Sequence, residues 1–212
     1  MQPYWIPYPG YFRLFARCDV FIILDDVQFP RRGYVHRNKI ATHNGELDWL
    51  TLPLQKAHRS ARISEILFHE DADDILAASI RRFPALENGF GVIETEMERL
   101  NGSILPLITG TLRAYKELLG FDVQFVFSSD IETEAETAQG RIIELVKKVG
   151  GREYVNLSGG TGLYDPSAFE AEGIELSFLS PWSGDFSSIL QQTTSEEGRI
   201  RVREQILRQS RS

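Results

Sequence analysis

Val20-Phe-Ile-Ile-Leu-Asp-Asp-Val-Gln-Phe29 is an apolar run that breaks off in two carboxylates. Residues 20–24 are nearly continuous in Val, Ile, Leu and Phe, which reads as a strand covered on both faces. Asp25 and Asp26 do not suit such a strand unless it has reached a surface or a site. If the chain stays extended to Gln28, period-two alternation puts Asp26 and Gln28 on one face and Asp25 on the other.

The same kind of strand recurs further on, at residues 123–127, 154–157 and 174–179. Between them lie helical patterns: Ile142, Ile143, Val146 and Val149 at helical spacing, ended by Gly150-Gly151, and a short helix over residues 166–171. Strand alternating with helix implies crossover connections. The expected fold class is therefore α/β, a mostly parallel sheet with helices on both faces. Ligands in such folds bind beyond the carboxyl ends of the strands, where Asp25-Asp26 and the Ser158-Gly-Gly-Thr-Gly162 turn both lie.

The firmest helix covers residues 104–119. Ile104, Leu105, Ile108, Leu112, Tyr115 and Leu119 share one face, and Gly120 stands where a left-handed C-terminal cap belongs. Shorter helices are expected at residues 10–17, at 75–82 with Asp71 or Asp73 as cap and Pro84 as stop, and from 85 or 92 to 100. Residues 48–54 and 63–68 read as strands near a sheet edge. The tail reads as a helix over residues 193–208, with Thr193 or Thr194 capping it and Gly198 inside its first turns. Residues 1–212 read as one domain, with no internal repeat or low-complexity linker.

Composition narrows the function classes. The 212 residues carry a formal net charge of −7, which argues against nucleic acid as the main ligand. Yet between Gln28 and Arg62 stand Arg31, Arg32, Arg37, Lys39, Lys56, Arg59 and Arg62, against only Glu46 and Asp48. A basic island on an acidic chain suits a small anionic ligand, although solvated edge charges give the same pattern. The single cysteine, Cys18, excludes a disulfide framework and a cysteine zinc site. No apolar run is long enough for a membrane span, and no signal peptide is visible, so a cytoplasmic location is expected.

Asp26 is the candidate base, on the expectation that partial burial raises its pKa; turn formation or pairing with Arg32 and Arg37 is the structural alternative. His36 is the second candidate acid or base, although an isolated His is more often structural or merely exposed. Arg31, Arg32, Arg37 and Lys39 offer forks and charge for a diphosphate. Tyr4, Trp5, Tyr8 and Tyr11 can stack on a sugar or base, or pack in the core. Gly159 and Gly160 can let backbone N–H groups approach an anion. His43, His58 and His69 lack ligand spacing, so no metal site is expected. Cys18 reads as an inert buried thiol.

Several of these stretches carry a resemblance. Gln2-Pro-Tyr4, Pro7-Tyr8, Gly10-Tyr-Phe12, Asp25-Asp-Val-Gln-Phe29, Arg32-Gly-Tyr-Val-His-Arg-Asn-Lys39, Trp49, Leu52-Pro-Leu54, Tyr154-Val-Asn156, Gly159-Gly160 and Leu163-Tyr-Asp165 resemble the WbqC-like family, in the same order. The resemblance implies a role in bacterial surface-polysaccharide (O-antigen) biosynthesis, with glycine transfer onto an amino sugar as one proposed chemistry. Together with the residue chemistry it places Gln2, Tyr4, Tyr8, Gln28, Arg32, Arg37, Asn38, Lys39, Gly159 and Gly160 in substrate binding. Two departures from the pattern stand out. The chain begins where a family member has an apolar strand leading into Gln2, and its helical tail, about residues 186–212, diverges.

The function expected on these grounds is transfer of an acyl group, glycyl among the candidates, to a nucleotide-linked amino sugar. A metal-dependent glycosyltransferase using Asp25 and Asp26, and a noncatalytic nucleotide-sugar-binding protein, are the alternatives. The sequence names neither the acyl donor nor any cofactor.

Overall fold

The computed structural model describes residues 1–98 and 100–211. Its strands are β1 (Val20–Ile23), β2 (Arg37–Ala41), β3 (Leu47–Thr51), β4 (Gln124–Phe127), β5 (Glu153–Leu157) and β6 (Glu175–Leu179). β1 pairs in parallel with β4, Val20 opposite Gln124 and Ile23 opposite Phe127. β5 pairs in parallel with β6, while β2 and β3 form an antiparallel hairpin. The result is a mixed α/β fold with small parallel and antiparallel sheets. One continuous, mostly parallel sheet was expected; instead the two parallel pairs stay apart, because β1 and β5 line opposite walls of a cleft rather than bonding to each other.

The helices are α1 (Ala72–Ile80), α2 (Glu94–Met97), α3 (Ile104–Leu118), α4 (Ala138–Lys148), α5 (Pro166–Glu170), α6 (Ile189–Gln192) and α7 (Glu196–Gln209). α3 forms as its spacing requires: Ser103 Oγ accepts from Leu105 N at its start, and Gly120 takes φ 66° just past its end. α4 is capped by Thr137, whose hydroxyl accepts from Gly140 N, and Lys147 and Lys148 complement its C-terminal dipole. None of the helices is long and apolar enough to cross a membrane, among the described residues.

Three local expectations are corrected. Residues 63–68 are no strand: a 3₁₀ turn, Ile63–Glu65, is followed by isolated bridges from Leu67 to Ser103 and Phe68 to Leu54. Residues 10–17 hold a 3₁₀ turn, Pro9–Arg13, rather than an α-helix. The helix expected between 85 and 100 is cut to the one turn of α2, preceded by turns at Pro84–Leu86 and Gly91–Ile93, since Gly89 and Gly91 take positive φ.

The main core joins the N-terminal aromatics to both halves of the chain. Trp5, Tyr11 and Phe12 are fully buried, and Phe15, Phe21 and Phe125 interlock beside them with ring centroids 4.8–5.8 Å apart. Arg13 is buried too, donating to the carbonyls of Gly10, Ser180 and Gln209 and facing the Trp182 ring at 5.5 Å. It thereby ties the first turn to the last helix. A smaller cluster gathers around Phe169, with Ile143, Val146 and Ile174.

Candidate functional site

The alternation read from Val20 onward persists past the end of β1. Phe21, Ile23 and Asp25 are buried, while Ile22, Leu24 and Asp26 are only half-buried. Asp25 Oδ1 accepts from Ser129 N and lies 3.1 Å from Ser128 Oγ, in the turn directly after β4. Asp26 receives more. Ser128 Oγ lies 2.6 Å from its Oδ1, and Arg141 Nη2 lies 2.5 Å from its Oδ2. One hydroxyl has one proton, so Ser128 serves one carboxylate at a time, and the shorter contact is to Asp26.

This environment corrects the expected basicity of Asp26. Burial pushes its pKa up, but hydrogen bonds from Arg141 and Ser128 and the guanidinium charge outweigh burial, and the net shift is downward. Asp26 is thus an ionised acceptor. The knot sits at the carboxyl ends of two parallel strands and beside the first turns of α4, which also meet the turn after β5: Gln139 Oε1 accepts from Asp165 N. Sequence reading missed Arg141 and Ser128, because each approaches Asp26 across more than a hundred residues.

From Asp25 the chain runs antiparallel to residues 57–64. Ser64 N donates to Asp25 O, Ile63 N to Val27 O and Phe29 N to Ala61 O, with Gln28 opposite Arg62. The Gln28 side chain donates to Arg59 O, and the Arg31 guanidinium to Ala57 O. This irregular ribbon gathers Gln28, Arg31, Lys56, Arg59 and Arg62, all exposed, along a path leading from Asp26. Arg32, exposed at its far end, belongs to a loop that Arg37 closes by donating to the carbonyls of Arg32 and Gly33.

Beyond that loop the β2–β3 register sets an aromatic and cationic face. Lys39 pairs with Trp49 across the hairpin. Arg37, two residues before Lys39, shares that face; its guanidinium lies 4.1 Å and the Lys39 ammonium 5.4 Å from the Trp49 ring centroid. Tyr34 stands 5.4 Å from Trp49, and Tyr4 5.6 Å from Tyr34, so the rings form a ladder. Tyr8 packs against Phe186 and Trp182. Trp5 and Tyr11 are core residues with no exposed face for a ligand, and Gln2 is half-buried, its carbonyl accepting from Tyr11 Oη.

Asn38 faces the other way. Period two turns it inward between Arg37 and Lys39, and its amide donates to the carbonyls of Ile6 (2.7 Å) and Trp5 (3.4 Å). Ile6 has φ 42°, a left-handed conformation that a β-branched residue rarely takes, and Ser188 Oγ also donates to its carbonyl. Asn38 therefore positions the N-terminal segment from below.

His36 is buried with its ring 5.0 Å from that of Phe29, and its Nδ1 has no hydrogen-bond partner among the described residues. Burial, aided by the neighbouring Arg37 charge, lowers its pKa to about 4, so it is neutral near pH 7. Gly160 is buried where a Cβ would meet Asn156 Nδ2 at 2.8 Å, whereas Gly159 is exposed and a Cβ there would meet open space. Burial raises the Cys18 thiol to about 11, which keeps it protonated.

The match to the model of the WbqC-like protein family runs over residues 2–190, from the N-terminal aromatic segment through the ribbon, the ladder and the Asp26 knot. The chain belongs to the WbqC-like protein family. The family match ends before α7 begins. A Mycobacterium tuberculosis protein described as "Uncharacterized protein Rv1507c" is 30% identical over 191 residues, covering 86% of this chain and 79% of that protein. No solved structure matches. Within this WbqC-like chain no cluster of three or more His, Cys, Asp or Glu side chains is grouped to hold a metal ion, among the described residues.

Proposed function

We propose that this WbqC-like protein transfers an acyl group, with glycyl as the leading candidate, to the amino group of a nucleotide-linked sugar in the cytoplasmic phase of surface-polysaccharide synthesis. One observation carries the reading. Among the described residues, none of Arg31, Arg32, Arg37, Lys39, Lys56, Arg59 and Arg62 forms an ion pair with a carboxylate of the protein. Cations left uncompensated beside a ladder of rings suit a small anionic ligand that also presents a flat face.

In this reading the diphosphate lies along the ribbon, held by Arg31, Arg32, Arg59 and Arg62, with the base or sugar against Tyr4, Tyr34 and Trp49. Gln28 and Asp26 then face the amino sugar. The amine nitrogen attacks the acyl carbon, an N–C bond forms, and the bond to the activating group breaks with its electron pair leaving on that group. The attacking nitrogen becomes cationic and strongly acidic, so even a carboxylate of lowered pKa such as Asp26 can accept the released proton. Arg141 holds that carboxylate ionised and fixed in direction. His36, neutral but enclosed, is placed to shape the loop rather than to reach substrate.

A glycosyltransferase that uses Asp25 and Asp26 as metal ligands is less well supported, since hydroxyl, amide and guanidinium donors already occupy oxygens of both carboxylates. A noncatalytic nucleotide-sugar binder shares every binding feature and differs only in turnover. The deciding experiment is mass spectrometry of nucleotide-linked amino sugars incubated with the protein and activated amino acids. Acylated product, lost with Asp26→Asn, supports transfer; tight binding of the nucleotide sugar with no product across the donor set sinks it.

A further inference from the structure

A cavity of about 760 Å³ opens between two stretches that are distant in the chain. One wall is formed by residues 84–92, the turns that precede α2, and another by the bend from α6 into α7. Tyr115 and Leu118 of α3 also line it. None of the lining residues belongs to the ribbon, the ring ladder or the Asp26 knot. Glu196 and Arg199, which reach the cavity from α7, lie outside residues 2–190, so the pattern shared by the family does not supply them.

The lining is divided by chemistry. Phe90 and Leu190 are buried, Leu118 is half-buried and Val92 is exposed, so an apolar body placed among them leaves water. Hydrogen bonds fix these walls before any ligand arrives: Phe90 N donates to Glu94 Oε2, Gln191 Oε1 accepts from Ala41 N at 2.7 Å, and Ser195 Oγ accepts from Gly198 N at 3.1 Å. The charged part is Glu196 with Arg199. They stand three residues apart on α7, where opposite charges are neighbours, yet neither forms an ion pair, among the described residues. Arg199 is half-buried, so its side chain has lost water without gaining a carboxylate.

We propose that this cavity binds a free α-amino acid with a large apolar side chain. Its carboxylate meets Arg199, its ammonium meets Glu196, and its side chain lies against Phe90, Leu118 and Leu190. Every simpler ligand leaves a group unanswered: an apolar carboxylate would face Glu196, an apolar amine would face Arg199, and a small polar zwitterion would leave the apolar wall wet. Spacing selects among zwitterions as well. Positions three apart on a helix set their Cβ atoms about 5–6 Å from each other, which suits two charges borne on one carbon, whereas the termini of a peptide are held farther apart. In the empty protein Glu196 and Arg199 could meet only as a partly exposed pair, weak enough for a ligand to open.

The test is isothermal titration calorimetry of the full chain with L-leucine and L-phenylalanine, each beside its deamino and its decarboxy analogue, and with glycine. At least one of the two amino acids should bind, and about tenfold or more tighter than glycine and than either of its own analogues. Arg199→Gln should weaken that amino acid by a similar factor. Glu196→Gln should weaken it too, but tighten the deamino analogue, and because Glu196 is exposed this variant keeps the fold even where loss of Arg199 unsettles α7. No binding of either amino acid at millimolar concentration overturns the site. A deamino analogue that binds the parent protein as tightly as its amino acid overturns the zwitterion, and binding that both substitutions leave unchanged overturns this cavity as its place.

Discussion

Arg141 and Asp26 stand 115 residues apart in the chain and meet at 2.5 Å across the ends of β1 and β4. The pair is partly shielded, with side chains 23% and 19% exposed. Its value therefore lies between that of an exposed pair and a buried one, about 1–3 kcal/mol. Because the folded pKa of Asp26 is depressed, the stability it adds is present above the ordinary carboxylate range and disappears as pH falls through the folded pKa. Arg141→Gln should lower stability by that amount at pH 7 and flatten the acid limb of a stability–pH profile. It should also move the Asp26 carboxyl titration upward in a ¹³C NMR experiment; an unmoved titration would show that Ser128 alone holds the carboxylate.

Asn38 makes a second prediction, about a binding wall rather than its ligand. Asn38→Ala leaves the buried carbonyls of Trp5 and Ile6 short of a donor while Ile6 still holds φ 42°. An unsatisfied buried group costs about 1–3 kcal/mol, so urea unfolding should show a loss of that size. Ligand affinity should fall as well, because Tyr4 precedes the strained segment. Asn38→Asp should be worse, as a carboxylate would face those carbonyls. A variant as stable as the parent would show that Ser188 suffices to hold Ile6.

Much of this fold is legible locally, and its site only partly. The face of α3, the glycine at its end and all the apolar runs that became β1, β4, β5 and β6 announce themselves, since each depends on neighbours a few residues away. β2 does not, because Arg37 to Ala41 is polar on one face and becomes a strand only through Trp49 and Leu50 opposite. The same register explains why Arg37, Asn38 and Lys39 cannot all face a ligand, which a list of polar residues conceals. The split between β1 and β5, and the arrival of Arg141 at Asp26, are products of crossovers and leave no mark in the local sequence.

Besides Asp26, acid should weaken the fold through two more groups with depressed pKa values. His36 titrates near 6.5 when unfolded and about 4 when folded, so from pH 6.5 down to 4 the unfolded chain binds the extra proton and stability falls. The Met1 ammonium does the same between 8 and about 5. Facing it, Cys18 stays protonated through that window. His36→Leu should flatten the lower part of the profile, by a difference on the order of 2 kcal/mol between pH 6.5 and 4.5. The upper part should flatten when the Met1 amine is acetylated, which removes the titrating group. Thermal denaturation at half-unit pH steps separates the two; parallel profiles for parent and His36→Leu would remove the imidazole from the account.

Gly198 predicts a reversal of helix propensity. The tail helix α7 starts one or two residues later than Thr194 or Thr193 would set it, with Ser195 as cap: its hydroxyl accepts from Gly198 N. Val202 and Ile206 are buried behind it, and Arg203 donates to Leu119 O at 2.7 Å, so the helix is docked to the body. Replacing a helical Gly by Ala in the open is favourable by about 0.8–1.0 kcal/mol. Here an added Cβ would stand 2.5 Å from Gln192 O, a backbone atom fixed by the α6–α7 turn. Relieving that contact requires the cap or the turn to shift, and overpacking of this kind costs about 1–3 kcal/mol. Gly198→Ala should therefore lower the melting temperature, while Gly159→Ala, made in open space, should leave it unchanged. A rise in melting temperature for Gly198→Ala would mean that the turn yields easily and that Val202 and Ile206 hold the tail without it.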